Sequence, residues 1–104
     1  MKNINKVELV NESQGDIKSV IILDTVKTIG NNAFSYNQLT SIEIPSSVTS
    51  IGNWAFSRNQ LTSAEIKNSN TILGGCVFND NYNLTTVKVA GIDKDIYEIS
   101  PCDL

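Results

Sequence analysis

Histidine is absent from this chain of 104 residues. It is the commonest general base and the commonest metal ligand in proteins, so its absence removes the usual candidates for acid–base catalysis and metal binding. The sequence also contains no glycine-rich phosphate loop and no catalytic triad, and the predicted fold offers no cleft with paired acids. We therefore expect no enzyme activity, no cofactor and no metal site.

Long apolar runs and clusters of basic residues are missing as well. No run of about 18 apolar residues occurs, so the sequence predicts no membrane insertion. The net charge is −3 and the 8 Lys and Arg residues form no cluster, so nucleic acid is not an expected partner. The first 16 residues lack the apolar core of a secretory signal. This leaves either a cytoplasmic location or a leader outside this sequence.

Cysteine occurs only twice, as Cys76 and Cys102. Such a sparse pair is not a disulfide framework, and we favour two unpaired thiols. The alternative is one disulfide that pins the C-terminal tail onto the rest of the chain, which requires the two Cα atoms to come within bridging distance.

The dominant feature that is present is a repeat of 22 residues. Segments 17–38 and 39–60 align without a gap and share 11 identical residues, and segments 39–60 and 61–82 share 10. A fixed period of this length is typical of a solenoid, in which each unit buries its apolar face against its neighbour. The repetition therefore predicts the fold.

Apolar residues recur at the same seven positions, which in the second unit are Leu39, Ile42, Ile44, Val48, Ile51, Ala55 and Phe56. The third unit departs from this pattern at one of them, where Asn70 replaces the expected valine. The spacing of two between Ile42 and Ile44 predicts a strand over 39–44, which Pro45 ends. "SSVTSIG" predicts a return along the far wall with a short second strand. "NWAFSRNQ" predicts one helical turn that directs Ala55 and Phe56 inward.

Asparagine recurs near the end of each unit, as Asn37, Asn59 and Asn81. Stacked asparagines at this position are predicted to hydrogen-bond the turn backbone that the stacking removes from water.

Partial strand patterns over 4–9 and 84–89 bring the expected strands to five. The predicted single domain 1–104 comprises an N-terminal cap (1–16), three repeats (17–38, 39–60, 61–83) and a partial repeat with a C-terminal cap (84–104). We expect strand 4–9 to pair antiparallel or to sit irregularly, because too few residues lie between Leu9 and Ile17 for a parallel crossover.

The segment "LTSIEIPSSVTSIGNWAF" resembles the BspA-like (bacterial surface antigen A type) leucine-rich repeats, whose pattern is roughly L-x-x-I-x-I-P-x-x-V-x-x-I-G-x-x-A-F. The resemblance implies an α/β fold, namely a short right-handed leucine-rich-repeat solenoid. It would have about five strands in one mostly parallel curved sheet, with short helical turns or second strands on the far wall. For much of the family it also implies surface-attached or secreted microbial proteins that bind host or matrix proteins.

Side chains that alternate with the buried strand positions form two outward rows. One row is Glu8, Ile21, Glu43, Glu65 and Lys88, and the other is Lys6, Ser19, Ser41, Ser63 and Thr86. Parallel strands lie about 4.8 Å apart, so Glu43 and Glu65 should sit side by side. The acidic pair that they form is either a binding site for a basic partner or a face that is exposed to solvent and binds nothing. Trp54 is either an outward anchor or packs over the adjacent turn as core.

The function predicted from the sequence is a protein-binding module, with adhesion or host-protein interaction at a microbial surface as its role. The candidate contact residues are Ile21, Ser41, Glu43, Ser63, Glu65, Lys88 and Trp54. The expected partner is an extracellular-matrix or host surface protein, and the expected location is the cell surface or outside the cell, with the cytoplasm as the alternative. The alternative function is a structural spacer, or a segment that self-assembles weakly through the open edge of strand 84–90.

Overall fold

The computed structural model describes residues 2–4, 8–10 and 12–103 of the chain. Its elements in chain order are β1 (Lys2–Ile4), β2 (Glu8–Leu9), β3 (Val20–Ile22), β4 (Thr28–Ile29), β5 (Ser41–Ile44), β6 (Ser50–Ile51), β7 (Ser63–Ile66), β8 (Ile72–Leu73), β9 (Thr86–Val89), β10 (Ile92–Asp95) and α1 (Ile96–Ile99). Odd-numbered strands form the front wall and the first four even-numbered strands form the far wall. The predicted short solenoid is confirmed, with mostly β structure and very little helix.

Strands within each wall pair in parallel, one coil above the next. The far wall is a single sheet in the order β2-β4-β6-β8. On the front wall, β5, β7 and β9 pair in parallel, β10 adds antiparallel to β9, and β1 pairs in parallel with β3. β3 packs beside β5. The two walls therefore repeat with the period of the sequence.

The front strands form where apolar and polar residues alternate. In β5 the side chains of Ile42 and Ile44 are buried, whereas those of Ser41 and Glu43 are exposed. β5 ends at Ile44, directly before Pro45, because proline cannot donate a hydrogen bond to a ladder. The strand predicted from this spacing is confirmed, although it begins two residues later than expected.

The core between the walls is built from the repeated apolar positions. Phe34, Phe56 and Phe78 are fully or almost fully buried and lie one above the other. The ring centroids of Phe34 and Phe56 are 5.4 Å apart, and those of Phe56 and Phe78 are 6.0 Å apart. Each coil therefore completes the packing of its neighbour, as the repeat predicts.

The turns that follow β4, β6 and β8 are not helical turns, so the helical turn predicted from the repeat was wrong. Ala55 and Phe56 do point inward and are fully buried, but Trp54 has a φ of 57°, in the left-handed region. Two tight turns follow each other instead, since Ala55 N donates to Gly52 O and Ser57 N donates to Trp54 O. A left-handed residue between them prevents the regular helix.

Gly52 is required by close approach between coils. A Cβ atom at this position would lie 2.5 Å from the backbone nitrogen of Asn31 in the preceding coil. Gly52 N also donates to Ile29 O across the same contact. The glycine therefore allows two backbones to meet where a side chain would separate them.

The asparagine row performs the role predicted for it. Asn59 is buried, and its Nδ2 donates to Phe34 O, Phe56 O and Ser57 O. Its Oδ1 accepts from Leu39 N. Asn37 and Asn81 make the equivalent bonds in their own coils. One side chain thus satisfies backbone groups of two successive coils that burial has removed from water.

The N-terminal strand prediction was wrong. Residues 4–9 do not form one antiparallel strand, since β1 pairs in parallel with β3 on the front wall and β2 pairs in parallel with β4 on the far wall. The chain between β1 and β3 crosses the far wall and is long enough for a parallel connection. Alternating apolar residues on two short strands had been interpreted as one strand.

The C-terminal tail closes the last coil. β10 covers the edge of β9, and α1 follows with Asp95 as its N-cap, whose side chain accepts from Tyr97 N. Ser100 Oγ then accepts from Val77 N, and Pro101 O accepts from Cys76 N. The tail therefore takes over part of the hydrogen bonding that the next coil provides elsewhere in the solenoid.

The preference for two unpaired thiols was also wrong. Cys76 and Cys102 form a disulfide, with their Cα atoms 4.3 Å apart. The tail returns over the third coil, which brings the two residues together although 26 positions separate them in sequence. The disulfide therefore pins the tail onto the repeats, as the alternative interpretation required.

Asn59→Ala should lower the free energy of unfolding by about 3 kcal/mol or more, because each buried backbone group left without a partner costs about 1–3 kcal/mol. Urea denaturation measures this loss. The control is Asn83→Ala, an exposed position whose truncation should stay within about 0.5 kcal/mol of wild type. Equal stability of the two variants would contradict the role of the row.

Replacing both cysteines, as Cys76→Ala/Cys102→Ala, should destabilise the fold by about 3–4 kcal/mol, because the disulfide closes a loop of this length. Thermal melts of the variant and of wild type under reducing conditions should coincide. If reduced and oxidised wild type had the same melting temperature, the disulfide would add no stability.

Candidate functional site

The front wall brings most of the predicted site residues together in register. Ser41 lies opposite Ser63, and Glu43 lies opposite Glu65. Glu65 in turn lies opposite Lys88. These side chains alternate with buried ones, so they point away from the core.

These residues line a depression on the front wall, which we call the front depression, with a volume of about 650 Å³. Ile21 lines it on β3, and its side chain is 40% exposed. The remaining lining residues that matter for its chemistry are Asp24, Ser41, Glu43, Ser63, Glu65, Lys67, Thr86, Lys88 and Asp93. The surface is concave and open, which is suited to contact with another macromolecule.

Acidic side chains outnumber basic ones in the front depression. Within the described part of the chain, neither Glu43 nor Glu65 forms an ion pair. Two carboxylates about 5 Å apart repel by roughly 1 kcal/mol in water and about 3 kcal/mol at an effective dielectric constant of 20. A positive group placed between them would relieve this repulsion.

Lys88 has a different partner on the neighbouring hairpin strand. Its Nζ atom lies 3.2 Å from Asp93 Oδ1 on β10, and both side chains are more than half exposed. Exposed ion pairs of this kind add little stability. The pair instead places a positive and a negative charge side by side at one end of the front depression.

The structure separates one residue from the predicted rows. Glu8 lies on β2 in the far wall, so its place in the front row was wrong. The error follows from the N-terminal strand prediction, which carried Glu8 onto the front face. Lys6 lies outside the described residues.

Trp54 lies in the turn that follows β6, away from the residues that line the front depression. Its side chain is half-buried, and it is not one of the residues that form or pack against the core cluster. The same position in the first repeat holds Asn32, which also has a left-handed backbone. The structure therefore does not bring Trp54 into the row of Glu43 and Glu65.

The sequence analysis missed Asp93 as a neighbour of Lys88. Asp93 reaches this place because β9 and β10 form a hairpin through Ala90 and Gly91, with φ values of 50° and 84°. Two central residues of positive φ are typical of the tight turns that suit a hairpin. Gly91, followed by the polar segment 92–95, was the signal that could have indicated this strand.

A second row lies at the corner of the solenoid. The guanidinium of Arg58 lies 4.9 Å from the ring centroid of Tyr36, and its Nε lies 3.5 Å from Asp80 Oδ2. Tyr36 and Arg58, which occupy the same position in neighbouring repeats, therefore stack on each other. These contacts connect three successive coils and are structural.

No group of three or more Cys, Asp and Glu side chains in the described ranges is arranged to hold a metal ion. No helix among these residues has the length and apolar character needed to cross a bilayer.

Trp54→Asn should change the free energy of unfolding by less than about 1 kcal/mol, because the side chain lies outside the core and asparagine is favoured in the left-handed region. Trp54→Ala, which truncates the ring without that backbone preference, is the matched comparison. Chemical denaturation measures both variants. A loss of about 3–5 kcal/mol in both would place the ring in the core instead.

Comparison with known proteins identifies the repeat. Residues 3–100 match the model of the BspA type leucine rich repeat region, in six copies. Neither a curated protein nor a solved structure matches the chain. Repeat regions of this type often serve as protein-interaction modules and are typically not enzymes, and in bacteria they are often surface-associated. The chain belongs to the BspA-type leucine-rich repeat family.

Proposed function

We propose that this chain is a protein-binding module whose contact surface is the front depression, with a role in adhesion or host-protein interaction at a microbial surface. The observation that carries the proposal is the concave face on which Glu43 and Glu65 stand in register without ion-pair partners among the described residues. The partner would be a protein with a basic patch, such as an extracellular-matrix or host surface protein.

The rigidity of the front wall favours this function. Its strands are held by parallel pairing and by the asparagine row, which bonds the backbone just before β5 and β7 begin. A preformed surface loses little conformational entropy on binding, so modest contacts are sufficient for measurable affinity. Ser41 and Ser63 add exposed hydroxyl groups that can donate and accept hydrogen bonds. Trp54 would contact only a partner large enough to reach the turn after β6.

The disulfide supports a location outside the cytoplasm. Disulfides form and persist in oxidising compartments, whereas cytosolic thiols are usually kept reduced. The bond between Cys76 and Cys102 therefore favours the cell surface or secretion over the cytoplasmic alternative.

Self-assembly through the edge of residues 84–90 loses its basis. β9 has β7 on one side and β10 on the other, so its edge is already paired. What remains of the alternative function is a structural spacer. No feature of the front depression supports that role.

The double charge reversal Glu43→Lys/Glu65→Lys should abolish saturable binding to the cognate protein, because it replaces the acidic pair with a repulsive basic one. Surface plasmon resonance against immobilised fibronectin and fibrinogen tests this expectation, and wild type should bind at least one of them. We expect at least about a 100-fold loss of affinity, as removal of interface charge pairs commonly costs several kcal/mol.

Glu8→Lys/Glu98→Lys is the matched control, because it changes the net charge equally at two positions outside the front depression. This control should bind as wild type does. Equal losses in both variants would assign the binding to net charge, and an absence of wild-type binding to either protein would contradict the proposed adhesive role.

A further inference from the structure

The outward row on the front wall changes character from one end to the other. It begins with the exposed apolar side chain of Ile21 on β3, continues through Glu43 on β5 and Glu65 on β7, and ends at Lys88 on β9. Asp93 stands beside Lys88 on the next strand. A ligand that crosses from β3 to β9 therefore meets an apolar, then an acidic, then a basic position, and the acidic Asp93 lies beyond the basic one on β10.

The spacing of this row matches an extended peptide. Paired strands are about 4.8 Å apart, so the midpoint between Glu43 and Glu65 lies about 7 Å from the position of Lys88. Ile21 lies on the other side of the acidic pair, on β3, which packs beside β5. In an extended chain, side chains on one face are about 6.8 Å apart, and the second one along is about 13.6 Å away. Successive same-face side chains of one peptide would thus meet the three positions in turn.

We propose that the front depression takes an extended protein segment that runs across the strands and carries an apolar side chain, a lysine or arginine, and an acidic side chain at alternate positions. This inference deepens the proposed function and rests on it. The apolar side chain packs on Ile21, the cation lies between Glu43 and Glu65, and the carboxylate faces Lys88.

The charges determine the direction in which the segment lies. If the segment were reversed, its carboxylate would face the exposed apolar surface of Ile21 and its apolar side chain would cover Lys88. In both directions the cation of the segment would reach Glu43 and Glu65. The contacts at Ile21 and at Lys88 therefore decide which direction is preferred. Lys88 therefore acts as a specificity-determining residue, because a second cation at that end would meet a like charge.

A row of hydroxyl side chains on the front wall can hydrogen-bond the backbone of the bound segment. Ser41, Ser63 and Thr86 are exposed and stand two residues before the charged row on their strands. Hydroxyl groups can donate to a carbonyl or accept from an amide, so they can bond the peptide backbone whatever its side chains. This division leaves the sequence preference to Ile21, the acidic pair and Lys88.

The probes are two capped seven-residue peptides of identical composition. In the first, valine, lysine and glutamate occupy the second, fourth and sixth positions, and serine fills the rest; in the second, lysine and glutamate exchange places. NMR titration of the folded wild-type chain measures both affinities. The first peptide should bind about 10-fold more tightly or better, and its shifts should map to β3, β5, β7 and β9, because like charges facing each other are disfavoured.

The variant Lys88→Glu provides a second, independent test of the proposed contact at Lys88. A third peptide, with lysine at both the fourth and sixth positions, should bind this variant about 10-fold more tightly than it binds wild type, because the repulsion at that end becomes attraction. Glu98→Lys, on α1 outside the front depression, should leave all three affinities unchanged. The spectra also report directly whether each variant is folded.

Equal binding of the first two peptides, no binding of either at millimolar concentration, or shifts on the far wall would each overturn this inference. These outcomes differ from failure of the proposed function. If charge reversal at Glu43 and Glu65 still abolishes binding to the immobilised proteins while peptide order has no effect, the binding face stands and the alternating segment is wrong.

Discussion

Stacking of coils at a fixed interval buries backbone groups of the turns that lead into the front wall, and these buried polar groups must find partners within the protein. Asn37, Asn59 and Asn81 meet this requirement, since each bonds backbone groups of two successive coils. The fully buried phenylalanine stack and the close approach at Gly52 both require the coil spacing that these bonds stabilise. A shift of register by one residue would break all three together.

The same constraint positions the candidate site. Because each coil repeats the backbone of the one before, equivalent side chains stand in rows one strand apart, and Glu43 and Glu65 are neighbours although 22 positions separate them. Two like charges in register are unfavourable in the free protein. The disulfide and the tail close the coil that carries β7 and β8. The candidate site therefore lies on a scaffold whose strands, tail and disulfide are already connected in the free protein.

The sequence predicted most of what occurs three times, but not the turns after β4, β6 and β8, whose left-handed position holds a different residue in each repeat (Asn32, Trp54 and Cys76). The strands, the inward phenylalanines, the asparagine bonds and the pairing of Glu43 with Glu65 all follow from the repeat. The two ends were harder because each occurs once. The place of Glu8 depended on how β1 and β2 divide between the walls. The disulfide of Cys76 with Cys102 and the contact of Asp93 with Lys88 both depend on the path of the tail, which no periodic pattern describes.

Native-state hydrogen exchange tests most directly whether the asparagine row holds the coils together. The amides of Leu39 and Leu61 donate only to asparagine side chains, across the coil boundary. The account predicts that both exchange only through global unfolding, with protection equal to that of the β5 and β7 amides. Exchange of these two amides at the rate of exposed turn amides, with the strands still protected, would contradict it.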